Sequence, residues 1–120
     1  MLLDSNIIIY STLPENEFLR NFISENNVFC SRVSCLEVLG YHLVSDADKK
    51  QFEIFFSLIP ILEIDILIIE KAIKLRQSIK LSLGDSIIAA TALFYDIPLV
   101  TRNIKDFKKI RDLLIIDPFI

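Results

Sequence analysis

Five short apolar runs, separated by stretches of helical spacing, divide this chain from end to end. They fall at 1–3, 28–30, 61–64, 99–100 and 114–116. Strands that alternate with helices return the chain repeatedly to one sheet, with the helices covering both faces. The alternation therefore predicts an α/β fold, a three-layer α/β/α sandwich with a mainly parallel central sheet. Helix-like stretches occupy 5–12, 15–25, 34–44, 47–58, 66–80 and 85–95. In 15–25 the spacing puts Phe18, Leu19, Phe22 and Ile23 on one face. In 66–80 it groups Ile66, Ile69, Ala72, Ile73 and Arg76. Ser34, Asp46 and Asp65 stand where helix caps belong, and Asp96 with Pro98 ends the very apolar 85–95 helix. With two glycines and no linker, repeat or low-complexity stretch, the 120 residues form one domain, 1–120.

Hydrophobic residues make up 52% of the chain, yet no apolar run is long and clean enough to span a bilayer. The longest, IFFSLIPILEIDILII, is broken by Pro60, Glu63 and Asp65. No basic leader precedes MLLDSN, so a cytoplasmic protein is expected. The apolar surplus points to a dimer or a bound partner. An exposed apolar face built from Phe18, Phe22, Phe52, Phe55 or Phe56 would serve either. Cys30 and Cys35 lack the further ligands of a zinc site and read as small core thiols. His42 is the only histidine, so chemistry built on histidine is nearly excluded.

The net charge of −3 argues against broad nucleic-acid binding, but the distribution is uneven. Residues 71–111 carry nine bases and three acids, a local excess of six positive charges. The other residues carry four bases and thirteen acids. The basic stretch reads either as solvated helix faces or as a rim that holds phosphates.

Four acids fall where such a fold brings segments together: Asp4, Glu37, Asp85 and Asp106. The first three lie in or beside strongly apolar stretches, where an unpaired carboxylate is expensive. Each has a local explanation. Asp4 could cap the helix after it, though that leaves Asn6, a second polar group on the same rim, unexplained. Glu37 could close a capping box with Ser34, and Asp85 another with Ser82. Asp106 could be a turn acid, and Asn103 competes with it for a place in the cluster. Asp85, however, heads the face that carries Ile88, Ala89 and Ala92, and so points to the sheet rim. Ligands of open parallel sheets bind at the carboxyl ends of strands, near a switch in strand order. Asp4 follows the first strand directly, and 101–106 follow the fourth. Carboxylates gathered there suit a hard divalent cation, Mg²⁺ or Mn²⁺. Without metal they repel one another, so at least one pKa should be raised. A receiver-type signalling domain would need a second acid beside Asp4. A haloacid-dehalogenase-type phosphatase would need one where Asn6 stands.

In order, LLDSNIIIY, VSCLEVLGY, GDSIIAATAL, LVTRNIKDF and LLIIDPFI resemble the motifs of PIN-domain nucleases of the VapC type, the toxins of type II toxin–antitoxin pairs. The resemblance spans 1–119. It implies a Mg²⁺- or Mn²⁺-dependent endoribonuclease, usually dimeric, silenced by a cognate antitoxin protein. Its products would be a 5′-phosphate and a 3′-hydroxyl. Asp4, Glu37 and Asp85 match the three core acids. The fourth acid stands where Asn103 is in some members and where Asp106 is in others. Ser5 and Thr101 match polar positions that support the ligands. Arg102, Lys105 and Lys80 are the candidates for holding the RNA backbone. The alternatives within the same fold are a housekeeping RNA-processing nuclease and a non-catalytic RNA- or protein-binding module.

Overall fold

The computed structural model describes residues 1–120. In chain order its elements are β1 (Leu2–Leu3), α1 (Ser5–Ser11), a 3₁₀ turn (Pro14–Asn16), α2 (Glu17–Glu25), β2 (Phe29–Ser31), α3 (Arg32–Leu39), α4 (Asp46–Leu58), β3 (Ile61–Leu62), α5 (Ile66–Ser78), α6 (Leu83–Tyr95), β4 (Leu99–Val100), α7 (Ile104–Phe107) and β5 (Ile115–Ile116). The five strands form one sheet in the order β3-β2-β1-β4-β5. Every neighbouring pair is parallel. From β1 the chain builds outward to β2 and β3, then crosses to the other side for β4 and β5. The switch in strand order therefore lies between β1 and β4, and β1 ends on Asp4 while β4 ends on Thr101.

The pleat of these short strands divides the core in two. Leu3, Cys30 and Val100 face one way and pack with Ile7, Ile8, Leu19, Ile23 and Phe52. Leu2 and Leu99 face the other way and pack with Ile88, Ala89, Ala92 and Phe107. A third, small cluster of Ile68, Ala72 and Ala90 joins α5 to α6, where the alanines permit close approach. Cys30 is a core thiol, as expected, and burial pushes it up to about 12. Cys35 is half-buried, and both cysteines are free. No helix is long and apolar enough to cross a membrane.

Several local expectations need correcting. Ser31, not Ser34, caps α3, its hydroxyl accepting from Val33 N–H at 3.1 Å. β2 runs straight into α3, so the last strand residue has to serve as the cap, and Ser34 lies buried one turn inside. The helix also stops at Leu39, short of 44. Ser45, not Asp46, caps α4. In α5 the buried stripe is Ile68 and Ala72, with Leu75 and Ile79 half-buried behind them. Ile66 and Ile73 are 66% and 51% exposed. The run Ile66–Ile69 is apolar all round, so spacing alone could not choose between two valid stripes. The five phenylalanines do not form an exposed face. Phe52 is buried, Phe22, Phe55 and Phe56 pack against the first core, and only Phe18 is exposed.

Candidate active site

The site begins with the way β1 ends. The Asp4 N–H still donates to Val100 O at 2.9 Å, extending the ladder by one residue, and the chain then turns into α1. Asp4 keeps extended backbone angles and caps that helix, with Ser5 N–H donating to Oδ1 at 2.8 Å. Its other oxygen, Oδ2, accepts from the Thr101 hydroxyl at 2.7 Å. Asp4 is 6% exposed and Thr101 is fully buried. The capping role is thus real, and it uses only one of the two carboxylate oxygens. The bond to Thr101 reaches 97 residues along the chain and ties the ends of β1 and β4 together.

Thr101 also organises the loop after β4. Its Oγ1 accepts from Asn103 N–H at 2.9 Å, and the Asn103 side-chain amide donates to Asp106 Oδ2 at 3.1 Å. Asn103 and Asp106 are therefore joined, the amide supporting the acid. Asp106 is half-buried on α7.

Glu37 reaches the same place from α3. The Ser5 hydroxyl lies 2.8 Å from Glu37 Oε1 and 2.9 Å from Ser34 Oγ. One hydroxyl has one proton, and a carboxylate can only accept, so Ser5 donates to Glu37 and Ser34 donates to Ser5. Ser34 and Glu37 are three residues apart on one helix face. That spacing was visible in the sequence, where it read as a capping box.

Asp85 stands in the first turn of α6, which starts at Ser82 because the Ser82 hydroxyl accepts from Asp85 N–H at 3.1 Å. Its carboxyl is pushed up to about 6, first by burial and then by the charges of Asp4, Glu37 and Asp106. Asp4, Glu37 and Asp106 are thus the acids near enough to act on Asp85. Asp4 is also raised, mainly by burial, against the pull of its Thr101 and Ser5 donors. Burial, more than the repulsion expected among metal-free acids, is the main cause of both shifts. No base neutralises the group, because the chain's one salt bridge joins Arg32 to Glu63 at the surface.

Gly84 supplies a further link. A Cβ on this residue would lie 2.6 Å from Glu37 Oε2, so Glu37 rests against the α6 backbone beside Asp85. Sequence reading missed both Gly84 and Ser34 as parts of the site. Gly84→Ala is expected to raise helix stability by up to ~1 kcal/mol. It should cost activity, because the flexible end of Glu37 must swing away. A melt and a cleavage assay on one preparation would check this, and unchanged activity would remove Glu37 from the site.

Other expected members are less engaged. Asn6 is exposed and takes part in none of these hydrogen bonds. Lys105 is exposed on α7, and Lys80 is exposed in the loop before the α6 cap. The basic stretch does not form one rim. Lys71, Lys74 and Arg111 line a separate cavity of about 500 Å³ with Asp96 and Asp112. Asp96 caps the far end of the 13-residue α6, about 16 Å from Asp85 at the usual helical rise. His42 is exposed in the loop after α3.

Asp4, Glu37, Asp85 and Asp106 have no cationic partner, and carboxylate oxygens are the donors that hard divalent cations take. The donor chemistry fits such an ion. No three acidic, histidine or cysteine side chains are gathered tightly enough to form a finished ligand shell as they stand.

The sequence model of the PIN domain matches residues 1–113. Among solved structures, a chain of a toxin–antitoxin complex from Klebsiella pneumoniae is 30% identical, with a TM-score of 0.75 over 98% of this chain and 96% of that one. A chain of DNA-bound VapBC from Salmonella typhimurium has the same fold, with a TM-score of 0.88 at 21% identity over 98% and 96% of the two chains. VapBC-1 from nontypeable Haemophilus influenzae gives 0.81 at 24% identity over 99% and 98%. No curated protein matches the chain.

Proposed function

Since the chain belongs to the PIN-domain family, we propose that it is a Mg²⁺- or Mn²⁺-dependent endoribonuclease, the toxin of a toxin–antitoxin pair. The observation that carries this reading is the bonded set at the switch in strand order: Thr101 holds Asp4 at the ends of β4 and β1, Ser5 holds Glu37, and Asn103 holds Asp106. Asp4, Glu37, Asp85 and Asp106 would hold the ion. When bound, such an ion offsets the charge that builds on a phosphodiester and makes water a better nucleophile.

The protein's own groups do the rest. Thr101 and the Ser5 N–H fix the two oxygens of the Asp4 carboxylate, and the Ser5 hydroxyl fixes one oxygen of Glu37. Asn103 does the same for Asp106. Asp85 or Asp106, less buried than Asp4, would orient the attacking water. Hydrolysis leaves a 5′-phosphate and a 3′-hydroxyl. Arg102, Lys105 and Lys80 hold the RNA backbone by charge and read no sequence.

The toxin reading leans on the solved neighbours, which are toxin–antitoxin assemblies. A cognate antitoxin and a second copy of the chain are the partners in this reading. Leu36, Leu43 and Leu58 support it as large apolar side chains 72%, 68% and 75% exposed. An RNA substrate would put the work in the cytoplasm.

The test is cleavage of total RNA by purified protein in Mg²⁺, in Mn²⁺ and in EDTA. Discrete fragments in either metal, absent in EDTA, are expected. Fragments that persist in EDTA would point to a contaminating or metal-free activity and sink the reading.

A further inference from the structure

Arg102 follows Thr101, the residue bonded to Asp4, and its side chain is exposed. Its guanidinium carbon lies 4.0 Å from the centre of the Phe119 ring and 5.2 Å from that of Tyr10. Phe119 stands edge-on to Tyr10 and to Phe18, with ring centres 5.8 Å and 5.1 Å apart. Four segments contribute: α1, α2, the loop after β4 and the stretch after β5. That last stretch is folded back by a tight turn in which Phe119 N–H donates to Asp117 Oδ1 at 3.0 Å.

The cluster holds the arginine by its flat face and leaves its edges open. Arg20 donates to the carbonyls of Ser11, Leu13 and Pro14. Arg32 pairs with Glu63, and Arg76 donates to the Leu81 carbonyl. Arg102 has no such acceptor and no ion pair; Arg111, in the cavity at the far end of α6, has none either, but no ring holds it. A guanidinium stacked on rings keeps its five-donor fork and has already lost much of its rotamer freedom. That is a preorganised group lacking its anion.

We infer that Arg102 is a positioning residue for RNA, its fork taking a backbone phosphate beside the acids while Tyr10 and Phe119 clamp it for that contact. The inference rests on the RNA reading of the site. A phosphate fits better than a partner's carboxylate because Arg102 belongs to the loop after β4 that also carries Thr101, Asn103 and Asp106, so an RNA strand running along that loop meets both Arg102 and Asp106. The planar fork also matches two phosphate oxygens at once.

Binding of a labelled single-stranded RNA to the Asp85→Asn protein in Mg²⁺, followed by anisotropy over a salt series, tests this without turnover. Adding Arg102→Ala should weaken binding about tenfold. It should also reduce the slope of log affinity against log salt by about one. Arg102→Lys keeps the charge, so it should keep most of the slope while losing several-fold in affinity. Phe119→Ala should weaken binding when Arg102 is present and have no further effect once Arg102 is alanine. A merely structural ring would not show that coupling. Unchanged affinity and slope in Arg102→Ala overturn the inference and leave the open fork to a carboxylate of a protein partner. An equal effect of Phe119→Ala in both backgrounds overturns the clamp. Failure of the parent protein to bind RNA overturns the whole. RNA binding with the Arg102 defect, but no cleavage by the unmutated chain, would leave this inference standing and sink the nuclease reading instead.

Discussion

Asp85→Asn is expected to lower RNA cleavage at least ~10³-fold at saturating Mg²⁺, because removing one ligand charge forfeits several kcal/mol of charge stabilisation at the scissile phosphate. The same substitution should make the metal-free protein more stable. Asp85 is raised to about 6 in the folded chain, above its unfolded value of 3.8. Between those values the folded state binds more protons than the unfolded one, so stability falls as pH rises through that window. At pH 7 the whole penalty is present. The shift is worth ~3 kcal/mol at face value. The group is half exposed to water, and screening reduces this to about 1 kcal/mol. In a chelator at pH 7 the variant should therefore melt about 4 °C higher. The advantage should vanish below about pH 4, where both proteins carry a neutral side chain at this position. Mg²⁺ should narrow the gap by stabilising the unmutated protein alone. Cleavage that survives Asp85→Asn would remove this residue from the chemistry. A melt that ignores both pH and metal would show that the four acids do not share a field.

Thr101→Val should be the most destabilising single change in the site. The side chains are nearly the same shape, so packing around this fully buried position is preserved. Two partners are lost, since the hydroxyl donates to Asp4 Oδ2 and accepts from Asn103 N–H. A buried carboxylate oxygen and a backbone N–H are left unpaired, at about 1–3 kcal/mol each. A total near 3 kcal/mol is expected by denaturant titration. Cleavage should fall about 10²-fold, because Asp4 loses the contact that orients it and Asn103 loses its tether. Thr101→Ser should recover most of both. A valine variant as stable as the parent would mean that the hydroxyl bridge between β1 and β4 contributes nothing.

Much of this was legible because the relevant signals are local. Runs such as Leu2–Leu3 and Leu99–Val100 are apolar on both faces, as strands buried between helix layers must be. The order of strands and helices then allowed little besides a parallel sheet. Asp4 could be placed at the rim because it directly follows β1, and Asp85 because it heads a packed helix face. The misreadings share a physical origin. Ser34 looks like a cap because Ser-x-x-Glu is a capping pattern, and only the abrupt passage from β2 into α3 makes Ser31 the cap instead. Gly84 carries no side chain to announce itself, and its value is the room it leaves for Glu37, which exists only in three dimensions. The basic stretch between 71 and 111 looks continuous in sequence, but the fold gathers Lys71, Lys74 and Arg111 into one cavity at the end of α6 remote from Asp85. The Arg102 clamp needs residues 10, 18 and 119, and no window along the chain contains all three.

The bond between Asp4 and Thr101 also sets a timetable. Asp4 leaves a ribosome 97 residues ahead of its partner. At about 5–20 residues per second that is a wait of roughly 5–20 s. Until β4 docks beside β1, the acid has neither its hydroxyl donor nor Asp106 nearby. A nascent or prematurely ended chain is therefore unarmed, however well its first half folds. If the chain cuts RNA as proposed, the machinery making it meets the active form only after β4 has been made and has docked.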